Sequence, residues 1–152
     1  MNYEIVTLAP KTIAGLTART ANSAPDMGAV IGGLWEQFFA EGLFLSMPDK
    51  ANNFVVGLYS DYSGDAHDAY DITVGCEVAQ ACNLPEGAVT KVIPQGRYAK
   101  FVVFGDKVTA VAGAWEAIWP LPLSRSFTGD FEEYVRTDEN GDCEVHIYVA
   151  LV

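Results

Sequence analysis

The sequence is short of the residues from which most active sites are built. It holds two histidines, His67 and His146, and three cysteines, Cys76, Cys82 and Cys143, with no C-x-x-C spacing. An odd set of thiols without that spacing argues against a disulfide framework and a zinc site, and it suits a reducing compartment. Two histidines give a multi-histidine metal centre or a catalytic histidine little to work with. No Ser/His/Asp or Cys/His set and no phosphate-binding glycine loop is legible, so neither a metal nor a cofactor is expected and no catalytic residue is named.

Basic residues are scarce too. Nine Lys and Arg stand against 20 Asp and Glu, a net charge of −11, and no basic cluster offers a footprint for phosphates. Direct nucleic-acid binding is therefore not expected. The same field would favour a cationic ligand, although an acidic surface also simply aids solubility. No run approaches the ~18 apolar residues of a membrane span, and Met1 to Val6 carries no basic leader, so a soluble, unexported, cytoplasmic protein without membrane association is expected.

What is present is a chain of 152 residues, half of them hydrophobic, enough for one domain over 1–152 with a full core. Lys11 to Leu16 alternates as a first strand. Ser23-Ala24-Pro25-Asp26 supplies a cap and an early proline for a helix over about 25–42, whose Met27, Ile31, Leu34, Trp35, Phe38 and Phe39 form one apolar stripe. Phe54 to Tyr59 and Tyr70 to Val78 read as a hairpin. After the polar link Asn83 to Gly87 the order begins again: Val89 to Ile93, a turn at Pro94-Gln95-Gly96, Tyr98 to Phe104, then a helix with Val108, Val111, Ala112, Trp115 and Trp119 on one stripe, ended by Pro120 and Pro122. Phe131 to Arg136 and Glu144 to Leu151 close the chain as a hairpin.

The helices echo each other: Gly33-Leu34-Trp35-Glu36 returns as Gly113-Ala114-Trp115-Glu116 at a spacing of 80. Two βαββ halves, about 1–82 and 86–152, predict an α+β fold with pseudo-twofold symmetry, a mostly antiparallel sheet and both helices on one face. A groove should then run between the helices. Matching Tyr59 with Tyr134 sets Gly57 against Glu132, room on one side and charge on the other. The plain alternative is a solvent-facing Glu132 and a Gly57 that marks a bulge. On the strand Asp130 to Tyr134, alternation puts Glu132 and Tyr134 on one face and Phe131 and Glu133 on the other.

In this order the motifs Gly57-Leu58-Tyr59-Ser60-Asp61, Ile93-Pro94-Gln95-Gly96-Arg97-Tyr98-Ala99, Ala114-Trp115 with Ile118-Trp119, Phe131-Glu132-Glu133-Tyr134 and Ile147-Tyr148-Val149-Ala150-Leu151 resemble the GyrI-like (gyrase-inhibitor-like) effector-binding domains of AraC-type and MerR-type bacterial regulators and their free-standing forms. The resemblance spans essentially the whole chain, and it implies a concave aromatic pocket with one buried glutamate, used in multidrug-sensing members to bind lipophilic cations. Carried over, Glu132 corresponds to that glutamate, Tyr134 follows it on the same strand face, Trp115 and Trp119 sit on the covering helix, and Tyr148 lies on the neighbouring terminal strand. Tyr59 joins as the repeat-mate of Tyr134. The regulators' helix-turn-helix is missing, which puts a direct transcriptional role in doubt.

Three functions stay open at this point. The favoured one is a binding module for amphipathic organic cations, in which aromatic faces and one carboxylate replace lost hydration. The second is a hydrolase of an electrophilic small molecule with Glu132 as general base. The third is an acidic protein-protein inhibitor resembling the free-standing gyrase inhibitors, with a separate protein partner and a surface drawn from Asp61, Asp65, Asp68, Asp71, Asp138, Glu139 and Asp142.

Overall fold

Two links of two residues each decide the shape of this molecule. The structure, a computed structural model that describes residues 1–152, has strands β1 (Glu4–Leu8), β2 (Lys11–Thr20), β3 (Val55–Ser60), β4 (Tyr70–Val78), β5 (Val89–Ile93), β6 (Gly96–Asp106), β7 (Asp130–Thr137) and β8 (Asp142–Ala150). All pair antiparallel in one sheet of order β1-β6-β8-β7-β3-β4-β2-β5. Ala9 and Pro10 must join β1 to β2, and Pro94 and Gln95 must join β5 to β6, each across six strand positions. In a flat sheet that is roughly 29 Å at about 4.8 Å per strand, whereas so short a link reaches only about 11 Å. The sheet therefore curls strongly enough to bring its two edges towards each other at these links.

Inside the curl, Ile13, Val56, Leu58, Ile93, Tyr98, Phe131, Tyr148 and Ala150 form a core with no helix over it. The Tyr98 hydroxyl donates to the Pro94 carbonyl at 2.6 Å and ties one link to this core. The helices lie on the outer face. Helix α1 (Met27–Ala40) buries Leu34 and Phe38 against β2, β3 and β4, and the short α2 (Leu43–Ser46) adds Leu43. Helix α3 (Thr109–Ile118) buries Val111, Ala114 and Ile118 against β6 and β8. The expected α+β fold with both helices on one face is what the chain adopts.

The strand order reads the same from either edge once β5, β2, β4 and β3 are exchanged for β1, β6, β8 and β7, so a pseudo-twofold axis passes between β3 and β7. Each half has a leading strand that pairs with the other half: β1 with β6, and β5 with β2. The sequence reading has no strand at β1, and it treats Val89 to Ile93 and Tyr98 to Phe104 as neighbours; they lie near opposite edges. Two other details differ. Asp26 makes no side-chain cap on α1. Ahead of α3, Asp106 takes that role, accepting the backbone N–H groups of Val108 at 2.7 Å and Thr109 at 3.0 Å.

Candidate ligand-binding site

The outer face is not filled where the pseudo-axis crosses it. Between α1 and α3 lies a cavity of about 700 Å³ with β3 and β7 as its floor. Seven residues between Met27 and Phe39 line one wall, and the residues 80 positions further on, between Lys107 and Trp119, line the other. The axis thus relates Trp35 to Trp115, Glu36 to Glu116, and Phe39 to Trp119. The exchange reaches the floor. Trp35 packs edge-on against Tyr134 at 4.8 Å, and Trp115 packs edge-on against Tyr59 at 5.7 Å, each helix reaching a tyrosine on the other half's strand.

The floor breaks the symmetry at one point. Gly57 and Glu132 are cross-strand partners, and on an antiparallel pair such partners share a face. With no side chain on residue 57, the Glu132 carboxylate lies over that backbone: a Cβ there would meet Oε1 at 3.2 Å and the Trp35 ring at 3.6 Å. The carboxylate sits close to the pseudo-axis and is 3% exposed. Tyr59 donates its hydroxyl hydrogen to Oε2 at 2.9 Å, Tyr134 donates to Oε1 at 2.9 Å, and Trp115 donates its Nε1–H to Oε2 at 2.6 Å. Burial pushes the Glu132 carboxyl above its ordinary range, and the three donors pull back without cancelling that rise. The same burial, reinforced by the carboxylate, pushes the Tyr59 and Tyr134 hydroxyls up.

Two residues away on the same face, Asp130 shows what a fully compensated buried acid looks like. It accepts from Tyr62 at 2.7 Å, from the Arg125 guanidinium at 2.7 Å and from the Ala150 N–H at 2.7 Å. The Phe127 ring lies 4.4 Å from that guanidinium. Phe127 holds φ at 54°, a left-handed conformation uncommon for a bulky side chain. Glu132 has three neutral donors and no salt bridge. No Lys or Arg side chain is ion-paired with it.

Of the residues singled out from sequence, Glu132, Tyr134, Trp115 and Tyr59 converge on one point, and Trp119 lies at the mouth, 47% exposed. Tyr148 does not join them, which corrects the expectation that placed it at the pocket. Its cross-strand partner is Phe131, on which its ring stacks at 4.4 Å, so alternation sends it into the inner core. There burial, with the Glu133 carboxylate nearby, pushes its hydroxyl up. Trp35, Phe39, Tyr62, Tyr70 and Arg125 also line the cavity but were not singled out as candidates. The first two carried a usable signal, since they are the repeat-mates of Trp115 and Trp119; Tyr62 and Arg125 sit outside regular elements, where no periodicity speaks.

A duplicated sheet-and-helix scaffold enclosing one cavity on its pseudo-axis is the architecture of an effector-binding domain. The chain belongs to the Cass2 family of integron-associated effector binding proteins, whose family model matches residues 4–151. It is similar to the integron cassette protein VCH_CASS2 from the mobile metagenome of Vibrio cholerae, with 26% identity, 97% of this chain and 95% of that one covered, and a TM-score of 0.75. SAV2435, solved bound to tetraphenylphosphonium, shares the fold at 17% identity, 98% and 94% coverage and a TM-score of 0.77. So does the EcmrR C-terminal domain, at 13% identity, full coverage of both chains and a TM-score of 0.57. Among curated proteins the sequence has no match.

Proposed function

We propose that the protein binds amphipathic organic cations in this cavity, with Glu132 supplying the charge, Tyr59, Tyr134 and Trp115 holding it, and Trp35, Trp119 and Phe39 presenting aromatic surface. One observation carries the reading: of the two buried acids on this face of β7, Asp130 has a guanidinium and Glu132 has none. A delocalised cation entering the cavity restores the missing counter-charge, and each aromatic face it meets adds ~0.5–2 kcal/mol. The tetraphenylphosphonium held by SAV2435 is a ligand of this chemistry.

Four of the acidic residues weighed for a protein-protein inhibitor have local partners. Asp71 pairs with Arg19, and both Asp61 and Asp71 pair with Lys91, while Asp65 and Asp68 accept backbone N–H groups inside their own loop. A partner-facing acidic surface loses those members. Lys11, Lys100 and Arg136 are also ion-paired, which leaves little free positive charge for a phosphate backbone.

The test is a titration by intrinsic tryptophan fluorescence with tetraphenylphosphonium and with an anion of matched size and shape. Binding of the cation at micromolar concentration, and none of the anion, is expected. Glu132→Gln should weaken cation binding by at least ~2 kcal/mol, the scale for a lost charged partner in a desolvated site. Glu133→Gln, which removes one charge on the opposite face, should do much less. Equal effects of the two substitutions would reduce Glu132 to one member of a diffuse acidic field and overturn the proposal.

A further inference from the structure

We infer that the mouth of the cavity is a second cation subsite, formed by Glu36 and Glu116, and that the tightest ligands are elongated dications standing along the pseudo-twofold axis. One charge lies at Glu132 and the other between the two helices. The inference rests on the proposed cation binding at Glu132 and extends it from a charge to a shape.

Three observations carry it. Glu36 and Glu116 occupy equivalent positions in the repeated Gly-x-Trp-Glu motif, and both line the cavity. Each follows a tryptophan of the wall. One residue further along a helix turns about 100°, so while Trp115 reaches down to Glu132 the glutamate after it turns away from the floor, and both glutamates are exposed. Second, neither carboxylate takes part in a salt bridge. Two acids of opposing helices therefore flank one opening with no fixed cation between them.

Third, the remaining charges of the cavity leave that opening negative. Arg125 is matched by Asp130. Lys107, the other basic residue of the lining, lies in the turn before α3, while Glu116 is in the last turn of that helix. Next to each rim glutamate an aromatic ring is half exposed, Phe39 at 48% and Trp119 at 47%, so the subsite offers both a carboxylate and a ring face to a quaternary ammonium. Because the carboxylate in the depth lies near the axis and the rim pair straddles it, the three acids prescribe a rod with charged ends. A compact monocation neutralises only the first of them.

The experiment compares bis(trimethylammonium) alkanes of increasing spacer length with trimethylammonium alkanes of the same length that end in a hydroxyl. Wild-type protein and E36Q/E116Q are titrated at one ionic strength. The readout is the ratio of the two affinities, in which any general loss of attraction cancels. Wild type should favour the dication about tenfold at one optimal spacer length, and E36Q/E116Q should bring the ratio close to one, the scale of two partly exposed ion pairs. Monocation binding with no dication advantage at any length overturns this inference and leaves the proposed function standing. So does an advantage that survives in E36Q/E116Q. Failure of both ligand series to bind overturns this inference, and failure of tetraphenylphosphonium as well overturns the proposed function with it.

Discussion

Gly57 and Glu132 face each other across the central strand pair, and the glutamate fills the space that a side chain on residue 57 would need. Gly57→Ala puts a methyl group 3.2 Å from Oε1, so that the carboxylate must give by a few tenths of an ångström, while the Trp35 ring at 3.6 Å is in ordinary contact. A stability loss of about 1–2 kcal/mol, the usual cost of overpacking, is expected from denaturant midpoints. Cation affinity should fall with it, because the displaced carboxylate loses its alignment with Tyr59 and Tyr134. Unchanged affinity in Gly57→Ala would show that the carboxylate does not need this position.

Cation binding should depend on pH through Glu132. Its carboxyl is raised above the ordinary 4.5 by burial, so just above pH 4.5 the empty site still holds its proton. A cation favours the ionised form. Affinity should therefore rise with pH through the raised value, and binding below it should release a proton, which calorimetry in buffers of different ionisation enthalpy would detect. Glu132→Gln should flatten the profile. Glu133, also raised by burial, faces the other way, so Glu133→Gln should keep it.

The same shift has a signature in stability. A carboxyl raised in the folded state binds protons that the unfolded chain has already lost, so the stability of the empty protein should fall as pH rises from 4.5 through the raised value. A saturating cation should remove part of that fall. A ligand that stabilises equally at pH 4 and at neutral pH would contradict the linkage.

The Arg125–Asp130 pair should behave as a structural unit. Arg125 is 11% exposed and Asp130 fully buried, so Arg125→Ala leaves an uncompensated acid and should cost roughly 3–5 kcal/mol. Tyr62→Phe removes one of the three hydrogen bonds to that acid and should cost about 1 kcal/mol. Chemical denaturation would measure both, and near-zero losses would mean that water replaces these partners.

Tyr148→Phe separates the two faces of the sheet. It changes a hydroxyl of the inner core, outside the cavity lining, and should leave cation affinity unchanged in a fluorescence titration, whereas Tyr134→Phe removes a donor to Glu132 and should change it.

What was legible in the sequence depended on the range of the signal. The helix stripes, the Gly-x-Trp-Glu repeat and the alternation on Asp130 to Tyr134 are local, and they led to Trp115, Glu132 and Tyr134. Tyr148 went astray because its face is settled by register: pairing it with Phe131 instead of Glu132 shifts it by one residue, and one residue is one face. The exchange of β1 and β5 between halves was equally out of reach, since Pro94-Gln95-Gly96 reads as a turn between adjacent strands and only the curl of the whole sheet makes it a bridge between edges. Arg125 has no periodic neighbour to announce it, and its role follows from Asp130 alone.

The lone acid on the axis has a consequence for how such a molecule can arise. Two identical copies assembled about a true twofold would place either two carboxylates or two glycines at the position of Gly57 and Glu132. Two acids in that space would repel each other and crowd together, and two glycines would leave the cavity without its charge. A single carboxylate on a symmetry axis demands unlike halves. Joining them in one polypeptide allows the walls to keep their duplicated tryptophans while one central position diverges, so a receptor for a single charge can be made from a scaffold that otherwise repeats itself.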